Sequence, residues 1–233
     1  MTMPRDRLPE GDEKRAAVRS MFDAIAPRYN LVNRVLTFGL DARWRRRAVR
    51  ELRLPPGSTV LDLACGTGDL CLELTSAGHR PVGVDLSFGM LAAARTPAPL
   101  VQGDLLALPV AAGSVAGAVC GFALRNLVGL EPFFAELYRV LEPGGRLALL
   151  DVSQPDNRLL KAGHQVYFNQ VVPRVGGLLS DRSAYSYLPR SVSYLPEPAR
   201  MVEMLNAAGL VDVERRQLST GITQLLTATR PRS

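Results

Sequence analysis

Hydrophobic residues recur along this chain with two spacings, which predict helices and buried strands. From residue 13 to residue 25 apolar side chains repeat at helical spacing, and Pro27 ends that helix. From residue 60 onward, short apolar runs alternate with amphipathic segments. Runs of this kind are typical of parallel strands that are buried on both faces. The alternation predicts an α/β fold.

The elements divide the chain into a helical cap and a core. Helices are expected at 13–25, 31–36 and 42–54, before Pro55-Pro56-Gly57 opens the first strand, so residues 1–54 form the cap, with about the first 12 disordered. Residues 55–233 form the core. Its predicted strands are 60–63, 81–85, 100–102, 114–122, 146–152, 211–215 and 222–229. Its predicted helices are 69–77, 90–95, 130–141 and 197–208, and the last two strands are expected to form an antiparallel hairpin at the sheet edge.

An insertion at about 155–196 interrupts this alternation. It is strongly apolar from residue 159 to 179 and then carries tyrosines among Ser and Pro. Its position before the last helix suits a substrate lid, and its apolar character suits an apolar substrate. Plain core packing is the alternative.

Composition limits the class of protein. With 233 residues and 47% hydrophobic content, the chain suits one α/β domain with extensions. Its net charge of +6 favours a negatively charged partner, either nucleic acid or an anionic membrane surface. The excess is concentrated around Trp44, in Arg43, Arg45, Arg46, Arg47, Arg50 and Arg53. A solvated helix face is the alternative interpretation.

The cysteines and histidines argue against a metal site. Cys65, Cys71 and Cys120 form no C-x-x-C pair and lie in apolar surroundings, so we expect reduced, buried thiols in a cytoplasmic protein. Only two histidines accompany them. Residues 1–15 lack the apolar segment of a signal peptide, and no run approaches the roughly 18 apolar residues of a membrane span. Any membrane contact is therefore expected from the surface.

A glycine turn follows the first core strand, in the sequence Val60-Leu-Asp-Leu-Ala-Cys-Gly-Thr-Gly-Asp69. Gly66 and Gly68 allow a sharp turn and a close approach to a ligand, because neither has a Cβ. The G-x-G-x-x-G spacing fails at Cys71, and no phosphate-binding G-x-x-x-x-G-K-[ST] is present. Asp62, Gly66, Thr67 and Gly68 are candidate cofactor residues, with a purely structural turn as the alternative.

Acidic residues end the next two strands. Asp85 lies where a carboxylate can accept hydrogen bonds from both ribose hydroxyls. Asp104 can accept from an adenine amino group, while the amide of Leu105 donates to the adjacent ring nitrogen. The alternative for Asp104 is a surface turn.

These motifs resemble known methyltransferases. Asp62 with Gly66-Thr67-Gly68 resembles motif I of the class I S-adenosyl-L-methionine methyltransferases. The segment from Phe22 to Asn33, the block Gly121-Phe-Ala-Leu-Arg-Asn126 and the segment from Arg139 to Leu147 resemble the UbiE/MenG family of quinone C-methyltransferases. Among its departures from the family pattern, Asn30 replaces Asp, Gly121 replaces a cofactor-contacting Ser, Ala123 replaces Gly, and Gln224-Leu225-Leu226 replaces Ala-Leu-His.

The resemblance implies a fold and a reaction. The fold is a Rossmann-like, seven-stranded, mostly parallel sheet with helices on both faces. The reaction is methyl transfer from S-adenosyl-L-methionine to a ring carbon of a polyprenylated, demethylated quinol, preferentially demethylmenaquinol. The ubiquinone-pathway methoxy-benzoquinol methyltransferase, an RNA methyltransferase and a non-catalytic cofactor-binding scaffold are the alternatives. Nucleic acid is not the expected partner, because no RNA-binding module is appended.

Within this framework, Arg125 and Asn126 are the candidate catalytic residues. Arg125 is expected to stabilise the quinol oxyanion, and Asn126 to orient it or a water molecule. Gly121 is expected to contact the cofactor through its backbone only. The general base is unassigned, with Asp104 acting through water as one option. The arginines around Trp44 suggest peripheral contact with an anionic membrane at its inner face, and the oligomeric state stays open, a homodimer included.

Overall fold

A seven-stranded sheet forms the centre of the protein. The structure, a computed structural model, describes residues 10–155, 157, 160, 163, 166–167, 170, 172–179, 187 and 189–232. The strands are β1 (Thr59–Leu63), β2 (Arg80–Asp85), β3 (Leu100–Gln102), β4 (Val115–Gly121), β5 (Leu141–Val152), β6 (Val211–Leu218) and β7 (Thr223–Thr229). They lie in the order β3-β2-β1-β4-β5-β7-β6, and only β7 runs antiparallel to its neighbours β5 and β6. The predicted edge hairpin is confirmed.

Helices precede and connect the strands. They are α1 (Gly11–Ile25), α2 (Tyr29–Leu36), α3 (Leu40–Glu51), α4 (Asp69–Ser76), α5 (Phe88–Ala92), α6 (Leu130–Val140), α7 (Val172–Leu179) and α8 (Pro198–Ala207). Short 3-10 turns cover Ala26–Arg28, Leu124–Asn126, Val192–Tyr194 and Ser219–Gly221. Helix α5 begins two residues before its predicted start at Met90, because the Ser87 hydroxyl accepts a hydrogen bond from the Met90 amide at 3.1 Å and caps the helix.

Helices cover both faces of the sheet. Along β5, Leu147 and Leu149 pack into one core cluster with α6 and α8, whereas Ala148 and Leu150 pack into a second cluster with α3 and α4. Alternate residues of a strand point to opposite faces, so the two clusters lie on opposite sides. The predicted class I architecture is confirmed.

Pro143-Gly144-Gly145, between the predicted helix 130–141 and the predicted strand 146–152, form a bulge inside β5. Pairing between β4 and β5 shifts from Val115–Leu141 to Gly117–Arg146. Gly144 adopts a φ of +82° and its amide donates to the carbonyl oxygen of Arg230 at 2.9 Å. These residues therefore remain attached to the sheet, and the strand begins at Leu141, five residues before its predicted start.

The cap is attached to the core by polar contacts. Lys14 on α1 donates to the carbonyl oxygen of Leu127 at 2.6 Å and lies 3.5 Å from the centre of the Tyr194 ring. Burial lowers the pKa of Lys14 to about 8. On α3, the Trp44 indole donates to the Ser219 hydroxyl at 2.8 Å.

Two sequence predictions fall partly outside the described residues. Residues 1–9 of the segment predicted to be disordered lie outside them, whereas Gly11 and Asp12 belong to α1. Much of the segment 155–196, predicted as a lid, also lies outside them.

Replacing Leu137 with Ala should destabilise the protein. Leu137 is fully buried beneath α6, so truncation leaves a cavity and costs about 2–5 kcal/mol of unfolding free energy. Chemical denaturation measures this. The control is Leu72→Ala on the exposed face of α4, expected to change stability by less than about 0.5 kcal/mol. Equal effects of the two changes would contradict the core assignment.

Candidate active site

The turn after β1 is built so that only glycine fits. Gly66 and Gly68 adopt φ values of +54° and +85°, in the left-handed region. A Cβ on Gly68 would collide with the side chain of Thr96, and one on Gly66 would lie 3.2 Å from the Met90 side chain. The turn therefore keeps its backbone beside a cavity that Gly66 and Thr67 line.

Asp62 is fully buried beneath this turn. Its Oδ2 accepts hydrogen bonds from the amide and thiol of Cys71 at 3.0 and 3.2 Å. Its Oδ1 is buried without a hydrogen-bond partner among the described residues. Burial raises the pKa of Asp62 to about 7, although the Cys71 hydrogen bonds oppose that shift. A cationic ligand group would therefore stabilise the ionised carboxylate.

Asp85 connects the tip of β2 to the glycine turn. Its two oxygens accept from the amides of Gly66 and Ser87, each at 2.8 Å, and burial raises its pKa. The Ser87 hydroxyl in turn donates to Asp23 of α1 at 2.6 Å. Asp23 was missed at the sequence level, because this contact spans 64 residues and only folding brings the two together.

Asp104 lies at the tip of β3 and is half-buried. One oxygen accepts from the Leu106 amide at 3.0 Å, and the other pairs with Arg15 of α1 at 3.4 Å. Leu105 beside it is buried. Arg15 is a second cap residue that sequence reasoning missed.

Asn30 joins the cap to the glycine turn. The Thr67 hydroxyl donates to Asn30 Oδ1 at 2.6 Å, and Asn30 Nδ2 donates to Asp69 at 3.4 Å. Asp69 also pairs with Arg45 at 3.2 Å. An Asp at position 30 could accept from Thr67 but would have no donor for Asp69, so the departure from the family pattern supports this network.

A cavity of about 120 Å³ gathers the strand tips, and we call it the inner cavity. Seven of the eight predicted cofactor residues line it, Gly68 being the exception; they are Asp62, Gly66, Thr67, Asp85, Asp104, Leu105 and Gly121. Asn126 lines it too, and its Oδ1 is buried without a described partner. A Cβ on Gly121 would lie 2.9 Å from the Leu70 side chain, so a serine there would require Leu70 to shift.

A second cavity of about 450 Å³, the outer cavity, adjoins it. Phe22, Tyr29 and Phe122 line both cavities and so separate them. The remaining lining is mostly apolar. Of the described residues that line the outer cavity, Arg125 alone carries a charge. The two predicted catalytic residues thus face different cavities, Arg125 the outer and Asn126 the inner.

Arg125 is held by a buried ion pair. Its Nη1 donates to Asp151 at 2.5 Å and to the carbonyl oxygen of Phe122 at 2.7 Å, and Asp151 is fully buried. Its Nε is buried without a hydrogen-bond partner among the described residues. The guanidinium of Arg125, a residue that lines the outer cavity, therefore retains one unused donor.

The inner cavity fits a cationic adenosyl amino acid better than a phosphate. The arginines in its lining, Arg15, Arg19 and Arg45, each pair with an aspartate. Two buried oxygens, Asp62 Oδ1 and Asn126 Oδ1, have no partner among the described residues and suit ammonium and hydroxyl donors. A glycine turn and strand-tip acids of this kind, on a sheet with this strand order, define a class I methyltransferase.

Comparisons with known proteins identify the family. The model of the ubiE/COQ5 methyltransferase family matches residues 10–230, so the chain belongs to this family and is a methyltransferase. The chain is 44% identical to the ubiquinone/menaquinone biosynthesis C-methyltransferase UbiE of Syntrophotalea carbinolica, over 91% of this chain and 93% of that protein. It is 42% identical to the demethylmenaquinone methyltransferase of Deinococcus radiodurans, over 93% and 95%.

Solved structures share the fold at low sequence identity. A phosphoethanolamine N-methyltransferase 2 from Haemonchus contortus, in complex with S-adenosyl-L-methionine, matches with a TM-score of 0.68 at 14% identity, over 98% of this chain and 61% of that one. The cyclase SpnF matches with a TM-score of 0.67 at 16% identity, over 100% and 99%.

Binding of S-adenosylhomocysteine should strengthen as pH rises from 5.5 to 7. The ligand's ammonium favours ionised Asp62, whose pKa in the free protein is about 7, so protonation competes with binding by up to about tenfold per pH unit. Calorimetric titration measures the dissociation constant of S-adenosylhomocysteine at each pH. Asp62→Asn should flatten the profile, whereas the control Asp12→Asn, on the exposed first turn of α1, should retain it. A flat wild-type profile would contradict the assignment.

Proposed function

We propose that this protein transfers a methyl group from S-adenosyl-L-methionine to a ring carbon of a polyprenylated demethylmenaquinol. The observation that carries this proposal is the pair of adjoining cavities. The inner one is lined by four aspartates and by three arginines that each pair with an aspartate, and the outer one is apolar with a single charged residue, Arg125, among its described lining. An apolar cavity with one cation suits a hydrophobic ring that develops negative charge on oxygen.

The inner cavity residues hold the cofactor in this proposal. Asp85 accepts from the ribose hydroxyls through the lone pairs that its two amide contacts leave, and Asp62 receives the ammonium. Asp104 and Leu105 bind the adenine edge, and Gly121 contributes backbone only. When bound, the cofactor supplies an electrophilic methyl group on a sulfonium.

Arg125 acts on the acceptor. A quinol hydroxyl must lose its proton for the ring carbon to become nucleophilic, and the guanidinium stabilises the resulting oxyanion. Its pairing with Asp151 fixes its position, so little reorganisation is needed during the reaction. A guanidinium donates hydrogen bonds and accepts none, so Arg125 is not the general base.

Asn126 and Asp104 take supporting roles. Asn126 is in the described lining of the inner cavity and not of the outer one. This favours a role in orienting the cofactor over direct contact with the quinol ring. Asp104 is likewise absent from the described lining of the outer cavity, which argues against its taking the ring proton directly.

The relatives favour the menaquinone pathway. The matching proteins of Deinococcus radiodurans and Thermus thermophilus, each 42% identical, carry the name demethylmenaquinone methyltransferase. The name of the Syntrophotalea carbinolica relative covers both quinones. A methoxy-benzoquinol of the ubiquinone pathway is therefore the acceptor to compare with demethylmenaquinol.

A polyprenyl substrate implies peripheral membrane contact from the cytoplasmic side. In the described part of the chain no helix has the length and apolarity to cross a bilayer.

The predicted arginine patch is narrower than its sequence indicates. Arg45 is buried beside Asp41, and both Arg47 and Arg53 pair with Glu51. Arg43, Arg46 and Arg50 remain exposed along α3.

A methyl-transfer assay tests the proposal. The enzyme receives labelled S-adenosyl-L-methionine with reduced demethylmenaquinone, with a demethylated ubiquinone precursor, or with bulk tRNA. We expect label in demethylmenaquinol. Label in tRNA alone would overturn the proposal, and cofactor binding without any transfer would favour a scaffold.

Arg125→Lys should lower kcat by about 10²–10³-fold and leave the dissociation constant of S-adenosylhomocysteine unchanged. Lysine keeps a charge beside Asp151 but lacks the unpartnered Nε donor. Steady-state kinetics and calorimetry separate the two effects. Because Arg125→Ala alone strands a buried Asp151, the double variant Arg125→Ala/Asp151→Asn serves as the second test. Near-normal turnover in a folded variant would contradict the assignment.

A further inference from the structure

Helix α2 and the turn that follows it carry three exposed apolar side chains. Leu31, Val35 and Phe38 are 59%, 43% and 80% exposed, and their spacing places them on one side of α2 and the turn that follows it. Val32, one residue after Leu31, is fully buried and packs in a cluster with Val18, Met21 and Ile25 of α1. We call Leu31, Val35 and Phe38 the α2 ridge.

The α2 ridge borders the mouth of the outer cavity. Phe38 lines that cavity although it is mostly exposed, and so does Leu160, which is 46% exposed. The Tyr167 hydroxyl donates to the carbonyl oxygen of Leu36 at 2.6 Å, and its ring lies 6.1 Å from that of Phe38. The cavity therefore opens beside exposed apolar side chains.

The same segment carries the net charge of the protein. Residues 24–50 contain seven arginines and one acidic residue, Asp41, a balance of +6 that equals the net charge of the whole chain. The buried pair of Asp41 and Arg45 adds no net charge to the exposed surface, and Arg47 pairs with Glu51. Arg43, Arg46 and Arg50 are exposed along α3. Arg34 is exposed within α2 itself, between Leu31 and Val35.

We propose that the α2 ridge docks the protein onto an anionic bilayer. Leu31, Val35 and Phe38 enter the boundary between headgroups and acyl chains, and the exposed arginines Arg34, Arg43, Arg46 and Arg50 attract the anionic headgroups. The outer cavity then opens toward the acyl region, so that a polyprenyl tail need not cross water. This last step rests on the proposed substrate, whereas docking itself does not.

Charge argues for a bilayer over a second copy of the chain. A two-fold contact through the same surface would bring two segments of charge +6 together, and like charges in an interface are unfavourable. An anionic lipid surface instead provides both the complementary charge and the apolar interior that the ridge requires.

Vesicle sedimentation tests the proposal. The full chain is mixed with vesicles of equal parts phosphatidylglycerol and phosphatidylcholine, or of phosphatidylcholine alone. The variant Leu31→Ser/Val35→Ser should bind the anionic vesicles at least tenfold more weakly than wild type. The matched control is Leu72→Ser/Val211→Ser, whose residues are 39% and 41% exposed on α4 and β6, and it should bind within twofold of wild type.

Several outcomes would overturn docking through this face. The first is that the ridge variant binds anionic vesicles as tightly as wild type does. The second is that wild type binds both vesicle types equally well. The third is that wild type forms a dimer in sedimentation velocity and the ridge variant does not. The last would assign the ridge to a second copy. Circular dichroism confirms that each variant is folded.

An activity arm separates docking from the proposed reaction. Neither Leu31 nor Val35 is in the described lining of the outer cavity, so the ridge variant should methylate a tailless, water-soluble demethylated naphthoquinol at the wild-type rate. Its kcat/KM for polyprenylated substrate in anionic vesicles should fall at least tenfold. Methylation of neither acceptor by wild type would contradict the proposed function, and vesicle binding would still decide docking.

Discussion

The buried ion pair between Arg125 and Asp151 holds together the part of the structure on which both cavities depend. It fixes the 3-10 turn after β4 against β5, and the same guanidinium binds the carbonyl oxygen of Phe122, whose ring separates the cavities. Phe122 adopts a φ of +62°, a strained conformation for a residue with a side chain. A buried pair recovers little net stability, because removing both charges from water is costly. Its value here lies in holding one cation rigidly at an apolar cavity.

The cap takes part in the site and does more than cover it. Tyr29 and Phe22 separate the cavities, Asp23 binds Ser87 beside Asp85, and Asn30 binds Thr67 in the glycine turn. The predicted boundary at residue 54 therefore separates two segments of the sequence that together form one site. Because these contacts join the cap to groups that line the inner cavity, movement of the cap would alter the cofactor site. Burial raises the pKa of Tyr29, and nearby Arg45 and Arg125 oppose that shift.

The fold by itself leaves the chemistry open. A cyclase and an N-methyltransferase match this chain with TM-scores of 0.67 and 0.68, so the sheet supports different reactions. The residues that line its two cavities distinguish this protein. The acids around the inner cavity suit a cationic cofactor, and the outer cavity offers an apolar surface with Arg125 as its one described charge. The membership in the ubiE/COQ5 family and the shape of the site thus point to the same kind of substrate.

The sequence by itself determined the sheet and most helices, and it predicted seven of the residues that line the inner cavity, because these depend on local periodicity and on motifs within a few residues, such as Gly66-Thr67-Gly68. Element ends differ from the prediction at the Ser87 cap of α5, which is a local contact, and at the Gly144 bulge of β5, which bonds to the distant Arg230. Tertiary structure alone decided the rest. It placed Arg125 and Asn126, neighbours in sequence, at different cavities, and it paired Arg125 with Asp151 across 26 positions. It also buried Arg45 while leaving Phe38 exposed, because burial depends on packing between distant segments, which no local pattern encodes.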